Sequence, residues 1–211
     1  MKQGAVKPFP VPPVSLGLER DTVVEILHLI NVGGDPAALM RRVVVILRAW
    51  SGCEAVAVRL RTGLDFPYVA ATGFSQEFLD KENRLCAVDD MGRLLRDDGG
   101  NVLLECMCGT VLTSRTDPAK TFFTEKGSFY TNGSTSLLAG TKESDRGGRT
   151  RNRCNRAGYE SVALVPIRLE GYTYGLFQCN DRRPGRFDEE TIARLERLAE
   201  SVGHLLQFQR L

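Results

Sequence analysis

Residues 105–112 read ECMCGTVL, two thiols one residue apart at the head of an apolar run. On a strand alternate side chains share a face, so Cys106 and Cys108 are expected to point the same way. That suits one common chemical partner better than a disulfide between the two. Cys53, Cys86, Cys154 and Cys179 bring the total to six cysteines. The N-terminal MKQGAVKPFPVPPVSLG lacks the continuous apolar stretch of a signal peptide and is broken by prolines. The chain therefore reads as cytoplasmic, where metal binding or redox chemistry is favoured over a disulfide framework. Three chemistries stay open: soft thiolates on Zn²⁺ or an iron–sulfur cluster, a reversible disulfide of Cys106 or Cys108 with Cys154, or buried thiols acting as small hydrophobes. The spacing does not match a pair of C-x-x-C knuckles.

Two further clusters could bind something. In GSFYTNGSTSLLAG, Thr131, Asn132, Ser134 and Thr135 are placed to line a pocket, with Phe129 and Tyr130 packing a ligand. The same residue types are also the default helix-capping residues. In RTRNRCN, an extended chain puts Arg149, Arg151 and Arg153 on one side, suited to a carboxylate or phosphate, or simply to a solvated charged face. The candidate ligand contacts are Phe129, Tyr130, Thr131, Asn132, Arg151 and Arg153. Catalysis finds little support. His28 and His204 both lie in predicted helices far in sequence from these cysteines, so no Cys–His pair is apparent. Phosphate-loop, kinase and serine-hydrolase signatures are missing. A net charge of +2 gives no general reason to expect nucleic acid, and no apolar run approaches a membrane span.

The elements that must position these residues follow from periodicity. Residues 1–17 form a Pro-rich flexible lead, and 18–211 one domain with a long insertion over about 86–155. LERDTVVEILHLIN predicts a helix ended by Gly33-Gly34; Asp35 then caps a second, with Pro36 at its first position. CEAVAVRLR and FPYVAATG predict an antiparallel hairpin, SQEFLDKENRLC a short helix, and GRLLR and VLLECMC a second hairpin across DDGGN. YESVALVPIRL and YTYGLFQCND predict a third hairpin. Asp188 starts a last helix whose stripe runs Ile192, Leu195, Leu198, Ala199, Val202, Leu205 and Leu206. The expected class is α+β: an antiparallel sheet of about six strands, terminal helices on one face, and the loop-rich insertion on the other.

In its order of elements, with GYESVALVPIRLEGYTYGLFQCND leading to FDEETIARLERLAESVGHLL, the chain resembles a GAF domain over about residues 18–211. The blocks ECMCG, TDPAKTFFTEKGSFYTN, RTRNRCNRAGYESVALVPIR and NDRRPGRF in order resemble one subgroup, attached to bacterial sensor histidine kinases. It implies a cytoplasmic, non-catalytic sensory module of two-component signal transduction, binding a small molecule and relaying to an output module. The subgroup pattern carries cysteines matching Cys86, Cys106, Cys108 and Cys154, which leaves Cys53 and Cys179 as core residues. Four such thiolates would hold Zn²⁺, or alternatively an iron–sulfur cluster. Structural zinc, worth ~10–16 kcal/mol in small domains, would pin a Gly- and Ser-rich insertion that lacks apolar mass. The alternative is a thiol redox protein or an enzyme like the GAF-type methionine sulfoxide reductases. Apolar stripes on helices at about 18–31 and 189–210 point to a homodimer, and FQRL ends without a helix breaker, as in a fragment of a longer protein or a helix prepared for coiled-coil pairing.

Overall fold

The computed structural model describes residues 35–208. The Pro-rich lead and the helix expected at about 18–31 lie outside the described residues. Helix α1 spans Pro36–Ser51. The Asp35 carboxylate accepts from the N–H groups of Ala37 and Ala38 at 3.1 Å each, satisfying two donors that the first helical turn cannot. Gly52 ends the helix at φ 62°, its N–H donating to the Arg48 carbonyl. Strands β1 (Ala55–Leu60) and β2 (Tyr68–Thr72) form the expected hairpin, and α2 covers Gln76–Glu82. Beyond the insertion, β4 (Ser161–Leu169) and β5 (Tyr172–Asp181) pair closely, and α6 runs Glu189–Phe208. Asp188 caps α6 by accepting from the Thr191 N–H at 2.7 Å.

The sheet is antiparallel throughout, in the order β2-β1-β5-β4-β3. Its five strands are one fewer than expected, and the difference lies in the insertion. Segments 86–104 make only isolated bridges, such as Cys86 with Leu104 and Arg96 with Val102. The short strand β3 (Phe129–Thr131) supplies the fifth strand, beside β4.

The second correction concerns the thiol segment, which continues as helix rather than strand. Helix α3 spans Cys106–Leu112, and all seven residues are buried. A short run that is apolar on every side carries no period, so strand and buried helix look alike in sequence. The reversal comes at Cys106, whose φ of 67° turns the chain out of an extended path.

Strand alternation separates two cores. Val56, Val58, Ala163, Val165, Phe177 and Cys179 face α1 and α6, where Met40, Val43, Leu47, Ile192, Leu195 and Val202 meet them. Ala55, Val162, Leu164 and Leu176 face the insertion, with Phe78, Met107, Val111, Phe122 and Phe129. Helices on one face and the insertion on the other therefore match the sequence expectation. Cys53 and Cys179 sit in the helix-side core as expected, their thiols hydrogen-bonded to one another.

Helix α3 lies so close to the preceding chain that a Cβ on Gly109 would stand 2.4 Å from the Leu104 carbonyl oxygen. Gly109→Ala must therefore displace α3. It is expected to cost about 1–3 kcal/mol and to lower the thermal unfolding midpoint by several degrees, read by calorimetry on the purified chain; an unchanged midpoint would show that the helix is free to move away.

Candidate functional site: a thiol-lined cavity on the insertion face

A cavity of about 60 Å³ opens between β3, β4, α3 and the segment 146–155. Cys106, Cys108 and Cys154 all line it, with Met107, Phe129, Leu137, Leu138, Val162 and Leu164 as apolar walls. The polar contributions come from Thr131, Arg146, Thr150, Asn152, Arg153 and Asn155.

Backbone bonds fix the first two thiols. The Glu105 N–H donates to the Leu85 carbonyl, and the Cys106 N–H to the Arg149 carbonyl at 3.0 Å. Cys154 comes from the single turn α5 (Arg153–Arg156), entered through Asn152 in the left-handed region at φ 57°. Its sulfur accepts from Gln178 Nε2 at 3.6 Å, and Gln178 in turn donates to Asn180 and accepts from the Tyr68 hydroxyl at 2.9 Å. The guanidinium of Arg59, wholly buried, stacks 3.6 Å over the Tyr68 ring and donates to the carbonyls of Phe66, Asn83 and Glu82.

The segment carrying Cys154 is held by ion pairs. Arg151 Nε donates to Glu105 Oε2 at 2.9 Å, and Arg151 also lies 3.5 Å from Glu82. Arg153 Nε lies 2.7 Å from Glu82 Oε1. Burial raises the Glu82 carboxyl above its usual range, against the pull of Arg151, Arg153 and Arg59.

The thiols are electrically unequal. A hydrogen bond from Cys108 holds Cys106 below the ordinary thiol range although burial opposes it. The same bond, with burial, pushes Cys108 up. Burial, then the neighbouring Cys106, pushes Cys154 up. The arrangement favours ionisation of Cys106 over that of Cys108 and Cys154.

Cys86 belongs to a different environment. Its thiol donates to the Leu64 carbonyl at 3.4 Å, and burial followed by Asp65 raises it to about 11. Among the described residues, no group of three or more His, Cys, Asp or Glu side chains is disposed to hold a metal ion.

The ligand candidates divide likewise. Phe129, Thr131 and Arg153 reach the cavity. Tyr130, one residue out of phase, packs on the helix-side core instead. Asn132 clamps the turn before α6, donating to the Phe187 carbonyl at 2.6 Å and accepting from its N–H at 2.8 Å. Arg151 is engaged by Glu82 and Glu105. Ser134 also lines the cavity, its hydroxyl donating to the Tyr159 carbonyl, while Thr135 ties α4 (Ser134–Gly140) to Glu160.

Sequence reasoning missed Arg59, Gln178, Asn180 and Arg146. The first three share a readable signal, a polar residue at an alternate position of an otherwise apolar strand. Arg146 sits in DRGGR, where nothing distinguishes it.

Residues 35–206 match the GAF domain family, and the chain belongs to it. Among solved structures, it is similar to the GAF domain of a phosphoenolpyruvate-protein phosphotransferase from Coxiella burnetii (14% identity, TM-score 0.63, covering 93% of this chain and 97% of that one). It is similar also to a domain of a putative two-component sensor histidine kinase from Sinorhizobium meliloti 1021 (14%, 0.53, 84% and 94%). A third similar structure is free methionine-R-sulfoxide reductase from Neisseria meningitidis in complex with its substrate (13%, 0.60, 95% and 95%). At these identities the likeness is one of fold. No curated protein matches the chain in sequence.

If Cys108 is what activates Cys106, the reactivity of Cys106 toward a small thiol reagent such as methyl methanethiosulfonate rises through a midpoint below the ordinary thiol pKa of about 8.5. Cys108→Ala then moves that midpoint upward and slows the reaction at pH 7. An unchanged profile in the variant, followed by mass spectrometry of the Cys106 peptide, would remove the hydrogen bond as the cause.

Proposed function

We propose that this GAF domain is a non-catalytic sensory domain of bacterial signal transduction whose signal is read at the thiol-lined cavity. The observation that carries the reading is the meeting of Cys106, Cys108 and Cys154 on one cavity wall from two separate segments. The oxidant is hydrogen peroxide. The Cys106 thiolate attacks the peroxide oxygen, the O–O bond breaks, and water leaves with a proton from solvent, giving a sulfenic acid. The Cys154 thiol then attacks that sulfur, releasing a second water and closing a disulfide. Two thiols lose two electrons and the peroxide gains two; a cellular dithiol restores the reduced state. Cys154 is the better resolving group, because closing Cys106 on Cys108 would distort the first turn of α3. The disulfide would tie α5 to α3 and so reshape the insertion face.

The output passes through the terminal helices to a module such as a histidine kinase, within a homodimer. Support comes from the sensor-kinase domain that shares the fold and from the placement of α1 and α6 together on the face away from the cavity. Light scattering that finds only monomer at high concentration would remove the dimer.

A second reading keeps Zn²⁺ or an iron–sulfur cluster on Cys86, Cys106, Cys108 and Cys154, favoured by the convergence of three of those four. It requires Cys86 to leave the Leu64 carbonyl. Metal content and visible absorbance of anaerobically purified protein separate the two readings. The thiol switch predicts no stoichiometric metal, loss of two thiols on adding one equivalent of peroxide, and a Cys106–Cys154 peptide by mass spectrometry that Cys106→Ser abolishes. One metal per chain, lost in Cys86→Ser, would replace it with the metal reading. Turnover of free methionine sulfoxide with a dithiol would replace it with a reductase.

A further inference from the structure

A second cleft, of about 580 Å³, opens at the other end of α3, between the chain after β1, the segment 96–104 and the residues that follow the helix. It shares no lining residue with the thiol cavity. Arg61, Arg96 and Arg115 line it beside the apolar side chains of Leu64, Phe66 and Leu112. Arg96 and Arg115 are exposed and Arg61 is half-buried, so all three reach solvent. Each guanidinium is oriented by a neutral partner and keeps further N–H groups unspent. Arg61 Nε donates to the Thr173 carbonyl at 3.1 Å, with its guanidinium 4.5 Å from the Phe66 ring and 5.2 Å from that of Tyr172. Arg96 Nη1 donates to the Gly100 carbonyl at 2.6 Å. Arg115 Nε donates to the Thr113 hydroxyl at 2.8 Å, and its Nη2 to the Leu104 carbonyl at 3.0 Å.

Exposure does not single these arginines out; their pairing does. Among the described residues none of the three has a carboxylate partner. Two other arginine clusters are matched: Arg149, Arg151 and Arg153 by Glu82 and Glu105, and Arg182, Arg183 and Arg186 by Glu54 and Asp181. Asp97, the one acidic residue lining the cleft, accepts from the Asn101 N–H at 2.8 Å and from the Asn101 amide, and Arg115 acts on it only from further off. Three cations against one carboxylate leave an excess of two positive charges. A cleft of one sign between apolar walls concentrates ligands of the other.

We infer that this cleft binds a small organic phosphomonoester, its phosphoryl group on Arg61, Arg96 and Arg115 and its apolar body on Leu64, Phe66 and Leu112. At neutral pH such an ester carries close to two negative charges and three acceptor oxygens, which match the charge excess and the three guanidinium forks. A monocarboxylate would leave one guanidinium unmet. The volume of about 580 Å³ falls in the range of small-molecule sites, roughly 300–1,000 Å³, and leaves room for a body that inorganic phosphate lacks. No cysteine lines the cleft, so this binding is independent of the thiol chemistry.

The test is calorimetric and NMR titration of the reduced full chain, at constant ionic strength, with phenyl phosphate, phenyl sulfate, succinate and inorganic phosphate. Phenyl phosphate is expected to bind one-to-one, saturably, and more tightly than the other three. Arg61→Gln is expected to weaken that binding roughly tenfold. Should this variant fail to fold by circular dichroism, Arg96→Gln, at an exposed position, decides, with a loss of about threefold or more. Because the chain is kept reduced, no outcome bears on the Cys106–Cys154 disulfide. Lack of saturable phenyl phosphate binding, equal or tighter binding of any of the other three anions, or undiminished binding in whichever variant decides overturns the inference.

Discussion

Glu82 closes α2 with a carboxylate only 2% exposed, and a buried charge of that kind persists only where cations come to it. Arg151 and Arg153 arrive from the far end of the insertion, and its backbone carbonyl takes a hydrogen bond from Arg59 on β1. One residue, through its side chain and its carbonyl, thus draws together a helix end, a sheet strand and the turn carrying Cys154. Glu105 repeats the device one step away, gripping Arg151 beside the start of α3. The segment 149–154 has little apolar mass of its own, so these pairs add to the Cys106–Arg149 backbone bond and the Gln178 contact in setting Cys154 relative to Cys106. Surface ion pairs do little of this kind of work; these succeed because their carboxylates are largely shielded from water.

The sheet adds a second constraint. Neighbouring residues of β4 and β5 face opposite layers, so Gln178 and Asn180 attend the thiol site while Phe177 and Cys179 pack under the helices. Slipping β5 by one residue would bury Gln178 and Asn180 among α1 and α6 and bring Phe177 to the thiols. The polar site and the apolar core therefore specify the same register.

Much of this architecture was legible in the chain. Asp35-Pro36 and Asp188 mark helix starts by chemistry that acts within a few residues, and β4 and β5 announce themselves by strong strand patterning. The GAF family was legible in the order of the elements. Helix α3 was not, because a run buried on every side has no period to betray it. The division among the cysteines was half legible: three meet, whereas Cys86 is turned away by Leu64 and Asp65, contacts that arise only when the insertion folds back. Arg146 was invisible, since nothing in DRGGR marks it as a residue that folds inward.

Asn132 follows Thr131, which borders the cavity, and its amide holds both backbone groups of Phe187, one residue ahead of the cap of α6. The rim of the chamber and the foot of the longest described rod are thereby riveted together by a single side chain. A guest that pushes β3 outward must either drag that foot along or shear both rivets.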